Sequence, residues 1–574
     1  MGFIIGRLLS KDPENRYQDI DHLLDVFVDV TNYELPVETL AIRESFLQAA
    51  SFVGREEYLK PLQDLMQDAM ARKGQVCLVA GESGVGKSRL LSELRTLALV
   101  ERVIVFRGQA TAETGSPYQL WRQIFRQLAI MVDLSDSEAS VMGTVIPDID
   151  ALLKREIDTP PSLQDNAIRE RFEHMILDIF RRQTTPMILI LEDLHWAEEE
   201  SIVLLNKLGN IIQDLPIFVL GSYRNDETPN LPEQIAHTEV LTLERFDEEQ
   251  MQQLSQSLLG KFGQDPRIVQ FLYEETVGNV FFAIEVIRVL TEEVKNLREL
   301  AEMPLPTEIT AGGIIAILRR RLERIPAEYY PVIQYAALYG RMLDLSLLQH
   351  LNPDSNMDET LQAISQLSVI EADENDWRFT HDKLREELIR ELSETPDTLQ
   401  SLHRNIAEAI ETLHPNDSDY IPALAHHWAE AKVADKAVEY NEEAAQIAYR
   451  FAPHRALNHI ETAIAFDDDE LSRSPESRIM RYGILGTSHY MMGNNKEALS
   501  ALETMVTHLG KSPMPENSIS GVFALLSQVG RQALHRMLPN QFLAKEDGDW
   551  LPEMTLASLY DMPMIYMGQG KMPH

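Results

Sequence analysis

The apolar run Val76-Cys77-Leu78-Val79-Ala80 leads straight into Gly81-Glu82-Ser83-Gly84-Val85-Gly86-Lys87-Ser88, and then into the helical pattern Arg89-Leu90-Leu91-Ser92-Glu93-Leu94. A strand, a G-x-x-x-x-G-K-S loop and a helix in that order constrain the fold more than any other stretch. Glycines let the backbone close around a phosphate, so that successive N–H groups and the helix N-terminus face the anion. In this pattern Lys87 reaches the β- and γ-phosphates and the Ser88 hydroxyl holds Mg²⁺. Gly81 to Ser88, with Arg89 beside them, are therefore candidate contacts of a nucleoside triphosphate.

Four further apolar runs follow: Val103–Phe106, Met187–Leu191, Ile217–Gly221 and Val240–Leu243. Continuous apolar strands separated by helical stretches predict a five-stranded parallel sheet covered on both faces. Ligands of such sheets bind at the carboxyl ends of the strands. The glycine loop, Glu192-Asp193 after the third strand and Arg224 after the fourth all fall there. Beside Mg²⁺–ATP, Glu192 is expected to hold the metal through water and Asp193 to orient or deprotonate the attacking water. The alternative for Asp193 is a helix N-cap. Arg224 is the candidate sensor of the γ-phosphate, its alternative being a surface arginine. Arg55 is the candidate for the adenine side of the pocket.

The chain has 574 residues, too many for one core, so three to five domains are expected. Its net charge of −38 disfavours nucleic acid as a direct partner, because binding there relies on Lys and Arg displacing counterions. One cysteine, Cys77, excludes an internal disulfide framework and fits a reducing compartment. No apolar run approaches the ~18 residues of a membrane span, and the N-terminus has neither a secretory layout nor a myristoylation pattern. A cytoplasmic protein is expected.

The expected organisation is a short N-terminal segment (1–28), a linker (29–49), an α/β core (50–245), a helical lid (246–297), a winged-helix unit (298–395) and helical repeats (396–574). Val369–Ala372 and Trp377–Thr380 flank the turn that marks the wing. After Glu394, amphipathic helices of about 12–16 residues alternate with short polar breaks. The segments around Ala437-Val438, Ala456-Leu457 and Tyr490–Leu499 resemble tetratricopeptide repeats (TPR), with irregular spacing; an ordinary helical bundle is the alternative. Such arrays present a surface for protein or small-ligand effectors. No H-x-x-x-H, Cys/His metal spacing or G-x-S-x-G elbow occurs. His426 and His427, adjacent on a helix, are expected to point to different sides and form no joint metal site.

Val53-Gly54-Arg55-Glu56, the loop at 81–88, Leu191-Glu192-Asp193-Leu194-His195-Trp196-Ala197, Tyr223-Arg224 and Phe379-x-His381-Asp382 together resemble the signal-transducing (STAND), Orc1-like branch of AAA-related ATPases, over about residues 50–510. The family's adenine-side Gly-Asn-Pro stands here as Gly278-Asn279-Val280. The resemblance implies a switch: ADP holds a closed form, and effector binding to the repeats permits ATP exchange and self-assembly into a homo-oligomer. Slow ATP hydrolysis is expected, since no arginine finger is evident in cis. Leu8–Gln18 resembles the last helices of a Ser/Thr protein kinase, without a catalytic-loop Asp or nucleotide Lys, so no kinase site is intact. The chain reads as a fragment of a kinase–ATPase–TPR regulator. The alternatives are a transcription activator lacking its DNA-binding domain and a passive ATP-bound scaffold.

Overall fold

In the computed structural model the described residues are 52–111, 117–157, 165–292, 313–373, 376–415, 417–449, 451–467 and 475–508, with three isolated positions before them. The kinase-like segment, the linker and everything after residue 508 lie outside them. The chain divides into two compact units, residues 1–54 with 246–317, and 55–245 with 318–574.

The larger unit opens with α1 (Glu56–Met70), β1 (Gln75–Ala80) and α2 (Lys87–Val100). β2 (Ile104–Gln109), α3 (Gln119–Met131), α4 (Asp136–Met142), α5 (Ile149–Leu153) and α6 (Asp165–Arg181) follow. β3 (Met187–Glu192), α7 (Glu199–Gly209), β4 (Ile217–Tyr223) and β5 (Thr238–Thr242) complete this part. The strands form one five-stranded parallel sheet, as the apolar runs predict, and its order is β2-β3-β4-β1-β5. Every residue of β3 and β4 is buried, which is why these segments carry unbroken apolar sequence rather than alternation. β1 lies between β4 and β5, so the loop after it opens at the sheet's interior rather than its edge.

The smaller unit contains α8 (Glu248–Leu259), α9 (Pro266–Thr276) and α10 (Val280–Glu292), packed on Met251, Leu254, Ile268, Leu272 and Ile287. Gly278 sits at φ +77°, and a Cβ there would meet the Phe246 carbonyl oxygen at 2.1 Å. Asn279 Oδ1 accepts from the Phe282 N–H at 3.3 Å at the start of α10. Gly278-Asn279 thus shapes the entry to that helix.

The larger unit resumes through the end of α11 (Gly313–Leu322). Next come α12 (Tyr330–Tyr339), β6 (Met342–Leu343), α13 (Leu345–Leu351) and α14 (Met357–Gln366). β7 (Ile370–Asp373), β8 (Asp376–Phe379) and α15 (Asp382–Ser393) follow. This is the winged-helix arrangement, with a three-stranded antiparallel sheet β6-β8-β7 where the sequence announces only a hairpin. β6 has two residues, too few for any periodicity to register. The helical repeats are α16 (Pro396–Leu413), α17 (Ile421–Glu430), α18 (Ala434–Ala448), α19 (Pro453–Phe466), α20 (Pro475–Met491) and α21 (Asn495–His508). Gly486 marks a close helix crossing, since a Cβ on it would lie 2.5 Å from Leu502 Cγ of α21.

The helical repeats are fastened to the α/β part of the same unit. Phe451, between α18 and α19, enters the main core with ring centroids 6.0 Å from Tyr118 and 6.3 Å from Phe172. Arg455 pairs with Glu198 at 3.1 Å and Arg122 with Asp419 at 2.6 Å. No helix among the described residues is long and apolar enough to cross a membrane.

Candidate functional site

The loop between β1 and α2 is built around its glycines. Gly86 sits at φ +101°, a conformation that costs an L side chain free energy. A Cβ on Gly81 would meet the Leu243 carbonyl oxygen and Val85 Cγ2, each at 2.9 Å. The N-cap position of α2 is Gly86, which has no side chain with which to cap the helix. Lys87 is buried, and its Nζ donates to the Gly81 and Glu82 carbonyls at 2.7 and 2.8 Å. Burial lowers the Lys87 ammonium to about 8, with Asp193 pulling the other way. A partly desolvated lysine at a glycine cradle and an uncapped helix end fit a polyphosphate.

Arg55 is buried, and its guanidinium donates to the carbonyls of Val85, at 3.3 Å, and of Glu244. It therefore braces the loop from behind. Glu82 pairs with Arg245 at 2.6 Å. Arg89 lies apart from the loop's interior, half exposed, with Glu93 at 2.7 Å.

Glu192 ends β3, and Asp193 just after it adopts φ +58°. Glu192 Oε1 accepts from Arg107 at 2.8 Å. Ser88 and Glu192 line the same small cavity of about 40 Å³, with Arg107 and Arg378. A hydroxyl and a carboxylate there are hard oxygen ligands of the kind Mg²⁺ takes. Asp193 caps no helix: a single 3₁₀ turn, Leu194–Trp196, follows it without a side-chain cap bond. Its Oδ2 instead accepts from Gln109 at 3.1 Å and Arg341 at 2.8 Å.

Arg341 stands just before β6 and was not singled out by sequence. Its Nε lies 3.4 Å from Asp382 Oδ1, and Asp382 Oδ2 accepts from Arg224 at 2.8 Å. Arg224 also donates to Glu227 at 2.6 Å and lies 5.0 Å over the Trp196 ring. Asp193, Arg341, Asp382, Arg224 and Glu227 thus form one alternating chain of charges. It links the ends of β3 and β4 to the start of β6 and of α15. Arg224 is only 6% exposed, which removes the surface-arginine alternative. Burial alone would lower the Arg224 and Arg341 guanidiniums, but their carboxylate partners raise both. Asp382 is held below the usual carboxylate range against its own burial by Arg341, His381 and Arg224.

Two partly buried histidines flank this chain. Burial pushes His195 down to about 4 and His381 to about 3, so both rings are neutral at pH 7. His381 Nδ1 accepts from the Lys383 N–H at 3.1 Å and caps α15, which fixes where Asp382 stands. The Phe379-x-His381-Asp382 pattern was the one sequence signal for this side of the site. Nothing in the sequence marks Arg341, whose partners lie 148 and 41 positions away.

Residues 51–220 match the family model of the AAA ATPase domain. An uncharacterized protein of Rhizobium meliloti (strain 1021) is 23% identical over 424 residues, which are 67% of this chain and 40% of that protein. The chain therefore spans about 40% of the length of this curated relative. Among solved structures, a signal transduction ATPase with numerous domains (STAND) with a tetratricopeptide repeat sensor, from Pyrococcus horikoshii, is similar at 15% identity. That match covers 93% of this chain and 79% of that one, with a TM-score of 0.41. The Orc1 protein of Aeropyrum pernix, solved in complex with DNA, is 15% identical over 62% of this chain and 96% of its own, with a TM-score of 0.30. Residues 51–220 of this chain are an AAA ATPase domain, which implies nucleotide binding.

Proposed function

We propose that this chain is a nucleotide-dependent regulatory switch in which the winged-helix unit locks the ATPase site and the helical repeats receive the signal. The observation that carries this reading is the charge chain from Asp193 through Arg341 and Asp382 to Arg224. It ties the two residues best suited to sense a γ-phosphate to a different part of the fold.

Gly81 to Ser88 would hold the phosphates of ATP or ADP, and Ser88 with Glu192 would hold Mg²⁺. When bound, Mg²⁺–ATP supplies a transferable γ-phosphoryl group. Lys87 can turn from the Gly81 and Glu82 carbonyls to an anionic partner without crossing the site. Asp193, once released from Arg341, is the carboxylate able to orient water and take up its proton. While Arg341 and Gln109 occupy its Oδ2, it is a poor base, so turnover in this state is slow. Arg224 would be available to sense a γ-phosphate only once it gives up Asp382.

The repeats would pass an effector's signal through Phe451 and Arg455, which bear directly on the ATPase core and on α7. We read α18–α21 as TPR-like hairpins, on the close crossing at Gly486, and residues 246–297 and 298–395 as lid and winged-helix domains. A protein or small-ligand effector at the repeats, and self-assembly on ATP binding, complete the reading. Direct nucleic-acid binding does not form part of it. Arg319 pairs with Glu387, and the buried Arg321 donates to the Ser368 carbonyl at 3.2 Å, so the basic cluster of α11 is largely spent within the fold.

The test compares wild type, Lys87→Ala and Asp193→Asn for nucleotide affinity, turnover, oligomeric state and protease sensitivity with ATP and with ADP. A switch gives different cleavage patterns for the two nucleotides, lost in Lys87→Ala. Identical behaviour with ATP and ADP in the wild type sinks the reading and leaves a scaffold.

A further inference from the structure

The first hairpin of the helical repeats brings three histidines together. His403 lies on α16, and His426 and His427 on α17. Adjacent residues on a helix diverge by about 100°, so sequence alone places His426 and His427 on different sides. Their ring centroids are 5.1 Å apart, and His403 lies 5.6 and 5.1 Å from them. One ring nitrogen from each of the three falls within 4.8 Å of the other two.

His403 and His427 are 5% and 2% exposed, and their Nδ1 atoms face each other at 2.8 Å. Without an ion, one of them must hold the proton and the other accept it. His426, exposed on its helix, brings a third ring nitrogen to the same cluster.

We propose that His403, His426 and His427 form a binding site for a divalent transition-metal ion, with Zn²⁺ the best match. Imidazole nitrogens at about 2.0–2.1 Å from a tetrahedral Zn²⁺ stand about 3.3 Å apart. The His403 and His427 nitrogens need separate by only about half an ångström to reach that spacing. Burial lowers both rings far enough, His403 to about 4, that they are neutral at pH 7, the form that ligates. No carboxylate or thiol joins the three among the described residues, which leaves the fourth position to water or an incoming ligand. An all-nitrogen set favours Zn²⁺, Ni²⁺ or Cu²⁺ over Mg²⁺ and Ca²⁺. Exposed His426 supplies the entry path.

The site pins α16 to α17. Asn405 of α16 also donates to the Tyr335 hydroxyl at 2.9 Å, on α12 of the winged-helix unit. A bound ion would therefore stiffen the joint between that unit and the repeats.

The test titrates Co²⁺ and then Zn²⁺ into the tag-free, chelator-treated 574-residue chain without nucleotide. Tetrahedral Co²⁺ reports through its visible absorption, and Zn²⁺ through displacement of that signal and a rise in Tm. The expected result is one Co²⁺ per chain with the tetrahedral spectrum. Affinity should be at least ~10-fold weaker in His426→Ala, whose exposed side chain can be removed without disturbing the core. His403→Asn, whose amide can keep a hydrogen bond to His427, loses the spectrum as well. Absence of binding at micromolar metal overturns the proposal. So does a spectrum that survives in folded His426→Ala and His403→Asn, which would place the ion elsewhere.

Discussion

Arg341 donates to Asp193 across 148 positions of sequence, at 2.8 Å, with both side chains about nine-tenths buried. Arg341→Ala removes this bond and the contact with Asp382 together. Breaking one side of a buried pair costs on the order of 3–5 kcal/mol, and here that cost falls on the closed form. ADP release should accelerate about tenfold or more, as each ~1.4 kcal/mol lost by the closed form is a factor of ten, followed by stopped flow with a fluorescent ADP analogue. Basal turnover should rise with it. Asp382→Asn should do the same more weakly, since Arg341 keeps Asp193. Unchanged release in both variants would show that the chain does not gate the site.

Nucleotide affinity should depend on pH through Lys87. Its free-state value is about 8, and neighbouring phosphates raise it, so the protonated form binds. Affinity is level well below pH 8 and falls by up to about tenfold per unit above it. Lys87→Arg, always charged, should flatten this profile whatever its affinity at neutral pH. Isothermal titration between pH 6.5 and about 9.5 separates the two.

Glu200 is a buried carboxyl with no side-chain hydrogen-bond partner, and burial raises it to about 7. A raised carboxyl value means the folded state binds the proton more tightly. Stability is therefore lost as pH rises from about 4.5 to about 7. Glu200→Gln should remove that loss, raising stability at pH 8 by up to about 3 kcal/mol and little at pH 4.5. Urea denaturation at the two pH values checks the difference.

Phe451 is the wedge between repeats and ATPase. Phe451→Ala should cost about 3 kcal/mol or more. It should also loosen the segment around residue 450, where limited proteolysis would cut ahead of global unfolding. A variant that loses stability without this early cut would make Phe451 a packing residue and no more.

The phosphate cradle and the sheet were legible in the sequence because both depend on short-range pattern. The cradle needs its glycines at fixed spacing, and strands buried on both faces need unbroken apolar runs. Glu192, Asp193 and Arg224 were legible because strand ends mark their place. Arg341, Phe451 and His403 were not. Each works through a partner distant in sequence, and no local spacing encodes such a meeting. Arg55 shows the intermediate case. Its importance is visible in sequence, but its direction, toward the Val85 and Glu244 carbonyls rather than a base, is set by tertiary packing.

The charge chain divides unevenly at the boundary it spans. Arg341 and Asp382 neutralise each other and already touch, so the winged-helix unit can depart as a self-contained dipole. On the ATPase side Arg224 retains Glu227. Asp193, the carboxylate we propose for hydrolysis, then loses its arginine and keeps Gln109. In the proposed switch, opening the winged-helix contact and freeing that carboxylate are therefore one event, because Arg341 serves both.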